Sequence, residues 1–124
     1  MKKLLLILLC LPMIGFGQQT YVPDDNFEQA LINLGYDTVL DDSVITANIN
    51  TITYFSLNIG IISDVTGLED FIGISSLSLN SGGNSPLTSF VDLSNLLNLE
   101  YLNTDISVDF SVIPNLKSLN LWGM

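Results

Sequence analysis

Apolar residues in the stretch TITYFSLNIGIISDVTGLEDFIG, residues 51–73, fall at Ile52, Phe55, Leu57, Ile62, Val65, Leu68 and Phe71. The gaps are three, two, five, three, three and three. The alternation at Phe55-Ser56-Leu57 predicts a short strand with one buried face. The later steps of three predict a tight helical return, because a 3₁₀ turn holds three residues. A strand and a return make one coil. A single coil cannot bury its own apolar side, so the pattern requires stacked copies with parallel strands.

Copies follow along the chain. Ile74, Leu77, Leu79 and Asn80 repeat Ile52, Phe55, Leu57 and Asn58 at a period of 22 residues. Further units open at Leu99, with Leu102 at the fourth position, and at Leu116, with Leu119 and Leu121. Counting back from the unit starts, apolar residues recur at three and six positions: Phe71 and Leu68, Leu96 and Leu93, Ile113 and Phe110. Ile49 places the rhythm just ahead of the first full unit. The spacing is irregular. The unit from Ile74 is 25 residues long and carries the insertion NSGGNSP (80–86), and the unit from Leu99 has 17 residues with Thr104 at a core position.

Ahead of the repeats, DDNFEQALINLG predicts a helix. Asp25 and Glu28 have capping-box spacing after Pro23, Phe27, Ala30, Leu31 and Leu34 share one face, and Gly35 is a stop. Such a helix covers the open edge of the first coil. At the far end the chain stops at NLKSLNLWGM, in mid-repeat. The expectation is the front part of a longer protein or a truncated product, with an open end that invites self-association.

These features together resemble the leucine-rich repeat family, in the 22-residue form of the bacterial internalins. ISDVTGLEDF (62–71) is close to that family's convex-side signature. PDDNFEQALINLGYD (23–37), running into VITANINTITYFSLNIGIISDVTGLE (44–69), is similar to its helical cap and first repeats. The likeness covers residues 21–124. Gly60 stands where the family usually has asparagine at the ninth position of a repeat. The resemblance implies an α/β fold: a right-handed leucine-rich-repeat solenoid, or horseshoe, with a parallel concave sheet and an N-terminal helical cap. The expected divisions are a signal peptide over 1–17, a cap over 18–48 and repeats over 49–124.

The leader MKKLLLILLCLPMIGFGQ sets the compartment. Lys2 and Lys3 precede the apolar run Leu4 to Leu11, and Gly15-Phe16-Gly17 forms a small-x-small cleavage site. The run is broken by Pro12 and is shorter than the ~20 residues of a helical span. A cleaved signal is expected, with Gln18 first in the mature chain and no membrane span in it. Lipidation at Cys10 fits poorly, because Leu9 precedes it and the cysteine sits inside the apolar run. The protein is therefore expected to be secreted or displayed at the cell surface.

Cleavage also removes two of the three basic residues while all 13 acidic ones stay, so the formal charge of −10 becomes more negative by two. A surface of that sign disfavours nucleic acid. Without Cys10 the chain has neither cysteine nor histidine, which excludes disulfides, thiolate chemistry and His-based metal sites. No histidine is present to activate a serine, and there is no nucleophile elbow. The acid pairs Asp41–Asp42 and Glu69–Asp70 give only a distant hydrolase alternative, since adjacent side chains diverge. DTVLDD (37–42) clusters oxygen ligands without the order of a calcium loop and reads as a solvated acidic turn. No catalytic residue, metal or cofactor is expected.

What remains is surface. Residues between the core positions of each strand form three outward columns. The first holds Tyr54, Ser76, Tyr101 and Ser118; the second holds Ser56, Ser78, Asn103 and Asn120; the third holds Asn58, Asn80, Asp105 and Trp122. Tyrosine and tryptophan are frequent binding anchors. The candidate ligand-binding residues are Tyr54, Ser56, Asn58, Ser78, Asn80, Tyr101, Asn103, Asp105, Asn120 and Trp122. Serine and asparagine there also serve as ordinary soluble strand surface. The resemblance implies a non-catalytic module that binds a protein or a glycan partner. The alternative is an architectural spacer in a longer surface protein.

Overall fold

The computed structural model describes residues 18–87, 91–106, 108 and 113–121. The leader with Cys10, together with Phe110 and Trp122, lies outside the described residues. Among the described residues the fold is α/β, with one α-helix, a small antiparallel strand pair and a four-stranded parallel sheet. Among the described residues, no helix is long and apolar enough to cross a membrane.

The parallel sheet consists of β3 (Tyr54–Asn58), β4 (Ser76–Asn80), β5 (Tyr101–Thr104) and β6 (Ser118–Leu121), neighbours in chain order. Tyr54 pairs with Ser76, Ser76 with Tyr101 and Tyr101 with Ser118. The register therefore absorbs the uneven repeat lengths, and the 80–86 insertion leaves the ladder intact. Phe55, Leu57, Leu77, Leu79, Leu102 and Thr104 point inward and are buried. Thr104 is accommodated because its hydroxyl accepts a hydrogen bond from the Ile106 amide at 3.2 Å. Leu119 and Leu121 of β6 are 37% and 39% exposed.

The returns keep the three-residue rhythm in their backbone. The amides of Ile62, Leu68, Phe71 and Ile74 donate to the carbonyls of Ile59, Val65, Leu68 and Phe71. Leu96 donates to Leu93, Leu99 to Leu96 and Leu116 to Ile113 in the same way. A donor three residues after its acceptor is the 3₁₀ pattern, so the apolar spacing and the hydrogen-bond spacing coincide. Leu68–Asp70 forms one such 3₁₀ segment.

The N-terminal segment is built differently. Strand β1 (Gln19–Tyr21) pairs antiparallel with β2 (Ser43–Ile45), and α1 (Asp25–Asn33) lies between them in sequence. The helix is capped by Asp24, whose carboxylate accepts from the amides of Asn26 and Phe27. This corrects the expected cap by one residue: Asp25 sits in the first turn. Glu28 also abandons the capping box and turns to the amides of Asp41 and Asp42. At the other end the Gly35 amide donates to Ile32 and the Tyr36 amide to Leu31, with Gly35 at φ 89°. That is a Schellman stop. Phe27 and Leu31 are buried as expected, but Leu34, the C-cap residue past the helix, is 54% exposed.

Phe71 joins the two parts. Its ring stacks on Phe27 of α1 at 6.2 Å and lies 4.8 Å from Phe55 of β3. Gly67, at φ 109°, lets the first return approach β1: a Cβ there would lie 2.8 Å from the Tyr21 carbonyl. Only glycine tolerates both conditions.

Candidate functional site

The outward face of the parallel sheet gathers most of the predicted binding residues. Strand alternation turns Tyr54, Ser56 and Asn58 away from the core, and the ladder sets Ser76, Tyr101 and Ser118 beside Tyr54. Tyr54 is 65% exposed and Tyr101 50%. The short Ser76 lies on the strand between them. Ser78, Asn103 and Asn120 form the adjoining row. These residues line a shallow depression of about 200 Å³. None of them carries a charge.

Three predicted site residues serve the fold instead. Asn58 and Asn80 accept hydrogen bonds from the Gly60 and Gly82 amides at 3.0 and 2.9 Å, closing matching turns at the ends of β3 and β4. Asp105 lies just past β5 and holds the insertion: its carboxylate accepts from the amides of Ser81 and Gly83 and from the Ser81 hydroxyl. Burial raises the Asp105 pKa, but these donors outweigh it and hold the group below its ordinary value. Asn103 carries a buried amide oxygen with no hydrogen-bond partner among the described residues. Trp122 lies outside the described residues.

The acid pair Asp41–Asp42 lies just ahead of β2, and Glu69–Asp70 lies in the 3₁₀ segment of the first return. Asp41 accepts from the Ser43 amide and hydroxyl, Glu69 from the Gly67 amide, and Asp70 from the Thr20 hydroxyl at 2.7 Å. These three carboxylates each secure a turn or a cap contact. In the cap, Glu28, Asp37 and Asp41 bring carboxylate oxygens within 4.8 Å of one another, as do Asp25, Glu28 and Asp42. Glu28 is fully buried. Its desolvation, with hydrogen bonding to the Asp37 and Asp41 carboxyls, raises its pKa above the ordinary value despite the two backbone donors. Its geometry ties α1 to the 37–42 loop.

Two further sets of residues were not foreseen from sequence. Asn98 and Asn115 each precede the first leucine of a repeat. Each donates its side-chain amide one repeat back, to the carbonyls of Ile72 and Leu97 at 3.2 and 2.7 Å. The recurring Asn-Leu pair was the available signal. Asp24 adds to its helix cap three bonds across the chain, from the Ser63 amide and hydroxyl and the Asp64 amide. A larger cavity of about 480 Å³ lies along the Asn98–Asn115 edge, where Lys117 forms an ion pair with Glu100.

No family model and no curated protein matches the chain. Among solved structures, a similar one is described as the functional domain of InlJ from Listeria monocytogenes, which includes a cysteine ladder. The likeness has a TM-score of 0.48 at 24% identity and covers 86% of this chain and 29% of that one. This chain thus spans under a third of that structure's length. The one cysteine of this chain is Cys10.

Proposed function

We propose that this chain is an exported leucine-rich-repeat module of the internalin-like, 22-residue kind, a curved solenoid that recognises a protein or glycan outside the cell without catalysis. The observation that carries this reading is the outward face of the sheet. Two well-exposed tyrosines stand on a fixed parallel ladder, in a row of uncharged serines and asparagines. Rigid aromatic groups give large contact area at low entropic cost, and extended solenoid faces are suited to recognition. The leader and the acidic balance support an extracellular setting. The test is the double variant Tyr54→Ala plus Tyr101→Ala, compared with the parent for binding to cells or matrix. Binding should fall at least tenfold. Unchanged binding would remove the support for a recognition face and leave the spacer role.

A further inference from the structure

We propose that the tyrosine strip takes a basic, proline-rich segment of a partner protein, laid across the strands in the polyproline II conformation; this rests on the recognition reading given above. Geometry comes first. Tyr54 on β3 and Tyr101 on β5 flank Ser76 on β4. Neighbouring strands lie about 4.8 Å apart, so the two tyrosine positions are separated by roughly 9.6 Å. A polyproline II helix has three residues per turn and rises about 3.1 Å per residue, so like-facing residues recur every ~9.3 Å. Prolines at every third position would meet both tyrosines in phase, with the slot over Ser76 between them.

The shape agrees. Pockets that enclose small molecules hold about 300–1,000 Å³. The depression here is about 200 Å³ and open, which suits an extended chain lying on a surface. A polyproline II backbone leaves its carbonyls and remaining amides unpaired. Ser78, Asn103 and Asn120 stand beside the tyrosines as polar partners.

Charge selects the flanking residues of the ligand. The strip is neutral, but it lies between Glu100 and Asp105 at the two ends of β5, in a chain of formal charge −10. Lys117 is the one basic residue among those described, and Glu100 pairs with it. The field of such a surface speeds encounter with cations and repels anions. A neutral oligosaccharide could stack on the same rings but would gain nothing from the field.

The experiment uses labelled twelve-residue peptides and fluorescence anisotropy on the purified chain. One peptide has proline at every third position with arginine between. A second has proline at every fourth position. A third keeps the threefold spacing with glutamate in place of arginine. A set of neutral oligosaccharides completes the panel. The threefold arginine peptide should bind about tenfold or more tighter than the fourfold and glutamate peptides, a difference of about 1.4 kcal/mol or more. Tyr54→Ala and Tyr101→Ala should each weaken it about tenfold, whereas Tyr54→Phe keeps most of the affinity. Ser76→Tyr, which fills the slot without removing either ring, should also abolish the preference for threefold spacing.

Equal binding of the two spacings overturns the proposal, as does binding indifferent to the tyrosines. Oligosaccharide binding that depends on the same tyrosines, with no peptide bound, overturns it and keeps the recognition reading. If no probe binds but the double alanine variant loses cell binding, the proline-rich partner is again ruled out and recognition stands. If no probe binds and cell binding survives the double substitution, both readings fall.

Discussion

The cap and the sheet with its returns solve the same problem by different means. In the returns, one backbone rule recurs: a donor three residues after its acceptor, with an apolar side chain at each step. Many positions share the load. In the cap, a few polar side chains each make a separate tie. Asp24 joins α1 to residues 63–64, Glu28 joins it to the 37–42 loop, and the Thr20 hydroxyl lies 2.7 Å from both Thr46 and Asp70. A periodic structure spreads the cost of a substitution, and a structure of single ties concentrates it. The insertion at 80–86 and the shortened unit from Leu99 both occur where the ladder can absorb them.

The residue common to both regions should give the largest effect. Phe71 is fully buried between Phe27 and Phe55. Phe71→Ala removes both ring contacts and leaves a cavity, at a cost of about 3–5 kcal/mol. Urea unfolding measures the loss. Hydrogen exchange should show α1 opening more than β4, because the cap loses its main apolar attachment. A loss under about 1 kcal/mol, with even exchange, would make cap and sheet energetically independent.

Next in size is the tie at Asp24. Asp24→Ala removes an N-cap and three longer-range bonds to a charged acceptor, for about 2–3 kcal/mol. Asp24→Asn separates the two roles, since an amide oxygen can still cap the helix but has no second acceptor for Ser63 and Asp64. It should recover about 1 kcal/mol. Burial pulls the Asp24 pKa up, but its donors prevail and lower it. Its stabilisation is therefore present above the ordinary value of 3.8 and disappears as pH falls through the lower folded value. Parent and Asp24→Asn should converge in strong acid, because a neutral carboxyl keeps one accepting oxygen for the cap; a parent-to-asparagine gap that persists there would contradict the charge-assisted tie.

The same contrast explains what could be read in the sequence. Leucine spacing placed β3 to β6 and their register, and the steps of three placed the returns, because periodic structure repeats its signal. The helix and its Gly35 stop were legible from local preference. Asp24 was misread by one position because its deciding partners, Ser63 and Asp64, lie about forty residues away. Glu28 fitted a capping box locally, yet the loop at Asp41 and Asp42 captured it. Strands β1 and β2, three residues each, carry too little alternation to detect. On the outward face the tyrosine row was legible from alternation alone. The turn roles of Asn58 and Asn80 were available in the Asn-x-Gly spacing but were masked by their outward position.

Glu28 sharpens the comparison through pH. Its burial and carboxyl neighbours raise its pKa above 4.5, so the fold favours its protonated form. That contribution is complete below the unfolded value near 4.5 and is lost as pH rises through the folded one. The sign is opposite to that of Asp24. Glu28→Gln cannot titrate. From pH 7 down to about 4.5 the parent should gain stability relative to Glu28→Gln. Matched urea titrations at each pH measure the difference, and a constant difference across the range would refute the raised pKa.

The smallest effect should come from the asparagines that brace one repeat against the one before it. Asn98→Ala or Asn115→Ala removes one exposed side-chain bond to a carbonyl, worth about 0.5–1 kcal/mol. The two donors serve different carbonyls along one edge, so a shared structural role predicts near-additive losses in the double variant. Each variant should speed exchange chiefly in the strand that follows it: β5 for Asn98 and β6 for Asn115. The cap should be unaffected. Equal loosening of α1 would mean that disturbance passes from coil to coil into the cap, and the division between shared and concentrated stability would fail at that point.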